Sequence, residues 1–546
     1  MGIEKLSAFR PERLTLHEVL IRVMADLTVP DGEKYEDLGI NFRHMTAAIL
    51  TKYIAPHMPD IHRAFERLQR DASTFIGDAQ TCDTASAGPL AAPAGPERRW
   101  TKLIRRGRPE PHPGPPARPP EAQDLHAIAG WRTRAQSIDD PFEQASYQAL
   151  VKTGEAIFKR RGRLPGDRSL ITSLATRLVC NDYGSRMIGD LIDPHFREAV
   201  SREGFRSLPA QPHPIVMNVK GASASGKSTM RPLQKKLAAR LGVEWTDFAL
   251  ISPDIWRKYL LDYAALGPAR RYAGTLTAHE IEIIDTKLDQ YMSRKAEAGR
   301  MSHLLIDRFR FDSFAQEPDE EEGSRLLTRF GDQVYMYFMI TPPEATVERA
   351  WFRGEQVGRY KAVDDLLAHN VEAYSGIPGL FFTWALRANK RVHYEFLDNS
   401  VSEGQRPRTV AFGLNGRMNI LDIKCLLDID RYRNINIEAR TPEAIYDPLA
   451  STSAASRAEF FKLCLRRIPT INFADANTGR IYAHIESRKL TWWDRDLFEQ
   501  SVSDAEARAA FEFVAALPRA HAFGSIRRPE RLDPRGTLTL GQWGDG

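Results

Sequence analysis

The sequence predicts an α/β protein with a five-stranded parallel sheet, flanked by a helical N-terminal region and a C-terminal α+β unit. Two observations predict it. Between about residues 213 and 400, short apolar runs rich in β-branched and aromatic residues alternate with longer stretches of helical periodicity, as in a parallel sheet covered by helices. The first of these runs leads straight into Gly221-Ala222-Ser223-Ala224-Ser225-Gly226-Lys227-Ser228. That glycine-bounded loop belongs between a strand and a helix.

The chain has 546 residues, enough for about three or four domains of roughly 150 residues each. Residues 1–79 are expected to form a helical N-terminal region, because LTLHEVLIRVMADL and MTAAILTKYIAPHMPDIHRAFERL space apolar residues by three and four. Residues 80–125 are dense in Pro, Ala, Gly and Arg and predict an extended linker. Helical periodicity returns over 126–205. Residues 206–400 carry the five expected strands, IVMNV (215–219), FALIS (248–252), HLLID (303–307), VYMYFMI (334–340) and VHYEFLD (392–398). Residues 401–546 read as the α+β unit, with a hairpin INFADANTGRIYAHIE turning near Asn477-Thr478-Gly479.

Composition excludes several classes. Apolar residues make up 42% and charged residues 27%, the balance of a folded globular chain rather than a disordered or fibrous one. The net charge of +5 is too small for a dedicated nucleic-acid binder of this length. Cys82, Cys180, Cys425 and Cys464 stand far apart, which argues against a zinc knuckle or a disulfide framework. No apolar run approaches the eighteen or so residues of a membrane span. The N-terminus lacks the apolar stretch of a Sec signal. A bacterial cytoplasmic protein is expected, and signal-independent export as an effector is compatible with the sequence.

The loop carries the strongest chemical signal. Gly221 and Gly226 allow backbone angles and close approaches that larger residues forbid, so the N–H groups of 221–229, through Thr229, can line a phosphate. Lys227 is placed to bridge the β- and γ-phosphates of ATP or GTP, and the Ser228 hydroxyl to ligate Mg2+. Such a match arises by chance only about 0.02 times in a chain this long, given ordinary residue usage. Pro232, early in the following helix, fits only within its first turn.

Other candidates stand at strand ends, where ligands of parallel sheets bind. Asp254 follows the second strand and can accept a proton from an attacking hydroxyl or, equally, cap a helix. Asp307 ends the third strand, where a magnesium-contacting acid is expected. Arg349, Arg353, Arg359 and Lys361 form a basic cluster after the fourth strand; permanently charged, planar guanidinium groups suit a transferring phosphoryl group.

The loop GASASGKS, the strand end SPDIWRKYLLDY, HLLID, the Pro-Pro turn after VYMYFMI, the GRY segment and EFLDNS together resemble the zeta-toxin-like P-loop kinases. The resemblance covers about residues 213–400. It implies a kinase that uses ATP or GTP with magnesium to phosphorylate a hydroxyl of a nucleotide-containing small molecule. UDP-N-acetylglucosamine and NAD are the acceptors of known members, and an antitoxin or other regulatory protein is the partner it implies. It also makes Asp254 the base that activates the acceptor, and Arg349 or Arg353 together with Arg359 the phosphate clamp. Asp307-Arg308-Phe309 departs from the family's acidic residue, glycine and threonine, which points to a different acceptor. Two other classes stay open on the residues alone: an NTPase that couples hydrolysis to a conformational change, and a non-catalytic nucleotide-sensing interaction protein.

Overall fold

The computed structural model describes residues 7–85, 120–307, 327–357, 361–446, 458–519, 531–534 and 537–544. They fall into two compact units, residues 1–20 with 47–203, and residues 21–46 with 204–546. Helices α1 (Pro11–Asp26) and α2 (Tyr35–Ala48) each cross that division.

The first unit continues with α3 (Met58–Ala85), α4 (Pro120–Ser137), α5 (Pro141–Arg161) and α6 (Ser169–Glu203). Local chemistry sets the ends of α5. The Asp140 carboxylate accepts from the N–H groups of Phe142 and Glu143, Pro141 occupies the first turn, and Gly162 closes the helix at φ +70°. Ile76 of α3, Trp131 of α4, Leu150 of α5 and Val179 of α6 share one apolar cluster. The helical segments expected on either side of the linker therefore bury their apolar faces in a common core.

The second unit is built on one sheet. Its strands are β1 (Ile215–Lys220), β2 (Phe248–Ile251), β3 (His303–Ile306), β4 (Gln333–Ile340), β5 (Arg391–Asp398), β6 (Arg408–Leu414), β7 (Arg417–Ile420), β8 (Thr470–Ala474), β9 (Ile481–Glu486) and β10 (Lys489–Trp493). The helices are α7 (Arg231–Arg240), α8 (Arg257–Leu260), α9 (Ala273–Leu276), α10 (Ala278–Glu297), α11 (Pro343–Val357), α12 (Val363–Ala385), α13 (Ile423–Tyr432), α14 (Glu459–Arg467), α15 (Arg495–Ser501) and α16 (Ala505–Ala515). Each of the five expected strands forms, with ends within a residue of those predicted. Neighbouring strands in the order β5-β4-β1-β3-β2 pair in parallel.

The sheet does not stop at five strands, as the sequence reading expected. It is a mixed ten-stranded sheet in the order β10-β9-β8-β7-β6-β5-β4-β1-β3-β2. β6 adds antiparallel to β5, and β8 pairs in parallel with β7. The strands of 401–546 therefore extend the sheet of 206–400, and the predicted hairpin becomes β8 and β9 with Gly479 at φ +70°. Every residue of β1 is buried, consistent with a strand covered on both faces. A single apolar cluster runs from β4 and β5 through α12, α13, α14 and α16. At its centre Phe338 stacks on Phe396 at 4.8 Å while Phe381 meets Phe396 edge-on at 5.1 Å, pairs worth about 0.5–1.5 kcal/mol each beyond their buried area.

Residues 21–46, expected to belong with the N-terminal helices, pack in this second unit. Lys295 pairs with Asp26 at 2.9 Å, Lys235 with Asp31 at 2.9 Å, and the Tyr259 hydroxyl donates to the Arg43 carbonyl at 2.7 Å. Among the described residues no helix is long and apolar enough to cross a membrane.

Residues 537–544 return to β5 and β6. The fully buried Glu395 carboxylate accepts from the N–H groups of Leu540 (2.6 Å) and Gly541 (3.0 Å) and from the Thr409 hydroxyl (2.7 Å). Burial pushes its carboxyl up to about 7 against the pull of those bonds. Arg406 Nε donates to the Leu540 carbonyl at 2.6 Å, and Arg240 of α7 to that of Thr537 at 2.6 Å. A Cβ on residue 541 would overlap Thr409 Oγ1 and sit 2.8 Å from Glu395 Oε1. Gly541→Ala is thus expected to cost about 1–3 kcal/mol of overpacking. It should be seen as a lower thermal midpoint with earlier proteolytic loss of the tail; an unchanged midpoint and cleavage pattern would mean the tail does not dock.

Candidate functional site

The loop 221–228 leaves the carboxyl end of β1 and turns through two residues at positive φ, Ala224 at 61° and Gly226 at 94°. Glycine is required at both boundaries. A Cβ on residue 221 would lie 2.7 Å from Ser225 Oγ and 2.8 Å from Met339 Cβ, and one on residue 226 would overlap Asn399 Nδ2. The loop is braced from two neighbouring strand ends. The Ser225 carbonyl accepts from Asn399 Nδ2 (2.8 Å), just past β5, and from Thr341 Oγ1 (3.2 Å), just past β4.

The segment after the loop differs from the continuous helix expected there. Lys227–Met230 is a single 3₁₀ turn, and α7 begins at Arg231 with Pro232 in its first turn. Proline has no N–H to donate to a carbonyl four residues earlier, so a continuous α-helix cannot run through this point with its bonds intact. Lys227 folds back over the loop, its Nζ donating to the carbonyls of Gly221 (3.0 Å) and Ala222 (2.8 Å). Ser228 and Thr229 lie in the 3₁₀ turn, with Thr229 Oγ1 donating to the Gly226 carbonyl at 2.7 Å.

Asp254 follows β2 with its side chain 47% exposed, and its Oδ1 accepts from Arg257 Nε at 2.9 Å. The same guanidinium reaches the Gly274 carbonyl (2.7 Å) and Thr277 Oγ1 (2.6 Å). Arg257 therefore ties the acid to the start of α10. Asp307 follows β3, and its Oδ2 lies 3.8 Å from Nη2 of the buried Arg231, so a permanent cation already neighbours this expected magnesium contact.

The arginines separate. Arg349 donates to the carbonyls of Asn399 (2.7 Å) and Val401 (3.3 Å), so it steadies the residue that braces the loop. Arg353 is half-buried further along α11. Arg359 lies outside the described residues. Lys361 meets His369 of α12 instead, with Nζ 3.1 Å from Nε2 and in contact with Nδ1.

Electrostatics joins these segments. Burial, chiefly, pushes the Lys361 amine down to about 8, with Asp365 and Asp254 opposing the shift and Arg257 and Lys227 adding to it. His369 is driven down to about 3 by burial, then by Lys361 and Lys227, with Asp254 opposing and Arg257 adding. Lys227, Asp254 and Arg257 thus each act on Lys361 and His369, although the five come from three separate stretches of sequence. His369 matches no motif in the sequence, and its position eight residues past Lys361 is the one signal there. Among the described residues no three His, Cys, Asp or Glu side chains form a group able to hold a metal. Comparison with protein-family models, curated proteins and solved structures finds no match to this chain.

Proposed function

We propose that the second unit contains a P-loop kinase core of the zeta-toxin-like kind, which transfers the terminal phosphoryl group of ATP or GTP to a hydroxyl of a nucleotide-containing small molecule. The observation that carries this reading is the loop after β1, bounded by two obligatory glycines and carrying Lys227, with Asp254 at the next strand end but one in the sheet, each of the two acting on the same His369 imidazole. One group fits the donor and the other the acceptor.

In this mechanism Lys227 exchanges its bonds to the Gly221 and Ala222 carbonyls for phosphate oxygens, and the helix-proximal N–H groups add positive potential. Asp254, held by Arg257, takes the proton of the acceptor hydroxyl as its oxygen forms a bond to the γ-phosphorus. The bond to the β–γ bridging oxygen breaks, and the diphosphate leaves. Bound magnesium supplies a divalent charge that offsets the phosphate charge, and the Ser228 hydroxyl and Asp307 would hold it. Two protein oxygens suffice, because magnesium in such sites takes its remaining ligands from phosphate and water. UDP-N-acetylglucosamine-like and NAD-like molecules are the acceptors to try first, and an antitoxin or other regulatory protein is the corresponding partner.

Mass spectrometry of nucleotide sugars, dinucleotides and ribonucleotides incubated with Mg-ATP or Mg-GTP and the protein tests the reading. An acceptor heavier by one phosphoryl group is expected, and only with active protein. Loss of ATP without a modified acceptor would replace the kinase by an NTPase, and no turnover with any of them would leave a nucleotide-binding module.

A further inference from the structure

We infer that the seam between α7 and the docked tail is a binding site for one small oxyanion, of the phosphate or sulfate kind, held by Arg406, Arg240 and Lys236. The site is separate from the loop 221–228, and the inference does not depend on the kinase reading.

The seam arises from how the tail is held. Backbone groups of residues 537–544 take most of the bonds: Arg406 Nε donates to the Leu540 carbonyl, Arg240 Nη2 to the Thr537 carbonyl, and the Gln542 N–H to the Pro407 carbonyl at 2.9 Å. The Gln542 side chain donates in turn to the Arg406 carbonyl at 2.8 Å. These bonds fix the tail beside the last two turns of α7 without filling the space between them. A cavity remains there, lined by Lys236 and Arg240 of α7, Arg406 from the β5–β6 connection and Thr539 of the tail, with three leucines between them. It leaves about 10 Å³ for the centre of a water-sized sphere, room for one water or one small ion and far too little for a nucleotide.

The charge around this space is one-sided. Three cations line it, and no carboxylate does. Glu395 also acts on Arg406, but its oxygens already accept from Leu540, Gly541 and Thr409. Arg406 carries the most direct sign of a missing partner. It is half-buried, it spends Nε on the Leu540 carbonyl, and its Nη2 is buried with no acceptor among the described residues. A buried charged donor without an acceptor is costly, and repulsion from Arg240 adds to the cost. One water would satisfy the donor and leave the repulsion between the two guanidinium groups in place. An oxyanion answers both, because its several oxygens accept from planar guanidinium forks while its charge offsets theirs. Lys236, exposed on α7, adds a third charge and takes no part in the bonds that dock the tail.

Calorimetric titration with inorganic phosphate at constant ionic strength tests the site. The loop 221–228 is itself expected to bind phosphate, so the whole protein is used as the Lys227→Ala variant, which should keep one phosphate site. In that background Arg406→Met should weaken binding at least about tenfold. Lys236→Met should weaken it about two- to fivefold, and because the tail stays docked in this variant, the loss reports the anion alone. Since the docked tail completes the site, phosphate at ten times its dissociation constant should slow proteolytic release of the tail about tenfold, and sodium chloride of equal ionic strength should not. No phosphate binding by Lys227→Ala would mean that the cavity takes only water, and would overturn the inference while leaving the loop standing. Unchanged affinity in Arg406→Met or in Lys236→Met, or equal protection of the tail by chloride, would overturn it as well.

Discussion

Lys227→Ala is expected to lower phosphoryl transfer by about 10²–10³-fold or more, the loss typical of removing one preorganised charge from a developing anion. The effect has two sources. The variant loses the cation that would bridge the β- and γ-phosphates, and the Gly221 and Ala222 carbonyls lose the donor that holds the loop closed. Nucleotide affinity should fall as well, because the same charge acts on the bound substrate before reaction. Steady-state kinetics with a hydroxyl acceptor measures the first effect and calorimetry with Mg-ATP the second. A rate within twofold of wild type would end the assignment of 221–228 as a phosphate loop.

Asp254→Asn is expected to lower kcat by about 10²–10⁴-fold, the usual contribution of a positioned general base, with the KM for Mg-ATP nearly unchanged. Asparagine keeps an oxygen for Arg257 Nε, so the tie from Arg257 to Gly274 and Thr277 should survive. The substitution therefore isolates basicity from architecture. Equal losses in acceptor turnover and ATP binding would make Asp254 a structural support of the loop rather than a base.

The strands that were legible in the sequence are those whose apolar runs are long enough to be buried on both faces, such as VYMYFMI and VHYEFLD. Their partners were not legible. β7 has only four residues and is half polar, and nothing in RTVAFGL shows that β6 lies antiparallel to β5. The turn between β9 and β10 uses Ser487 and Arg488 at φ 51° and 62°, so it lacks the glycine that normally marks such a turn. In the site, the loop and Asp254 could be picked out as candidates because a spacing marks the one and a strand end the other. Arg349 could not be assigned, because its guanidinium binds the carbonyls of Asn399 and Val401, groups that every residue carries. Lys361 was legible only as one of a basic cluster, and its meeting with His369 was not, because a lysine and a histidine eight residues apart match no motif.

The docking of Leu540 and Gly541 on Glu395 also has a consequence for biosynthesis. Glu395 lies 145 residues before the first of its two N–H partners, and at 5–20 residues per second a ribosome needs roughly 7–30 s to add that much chain. During that interval β5 has been made, yet the carboxylate destined for its interior has neither backbone donor. Of its three donors only the Thr409 hydroxyl is then present, so the final packing around β5 must wait until translation has passed residue 541.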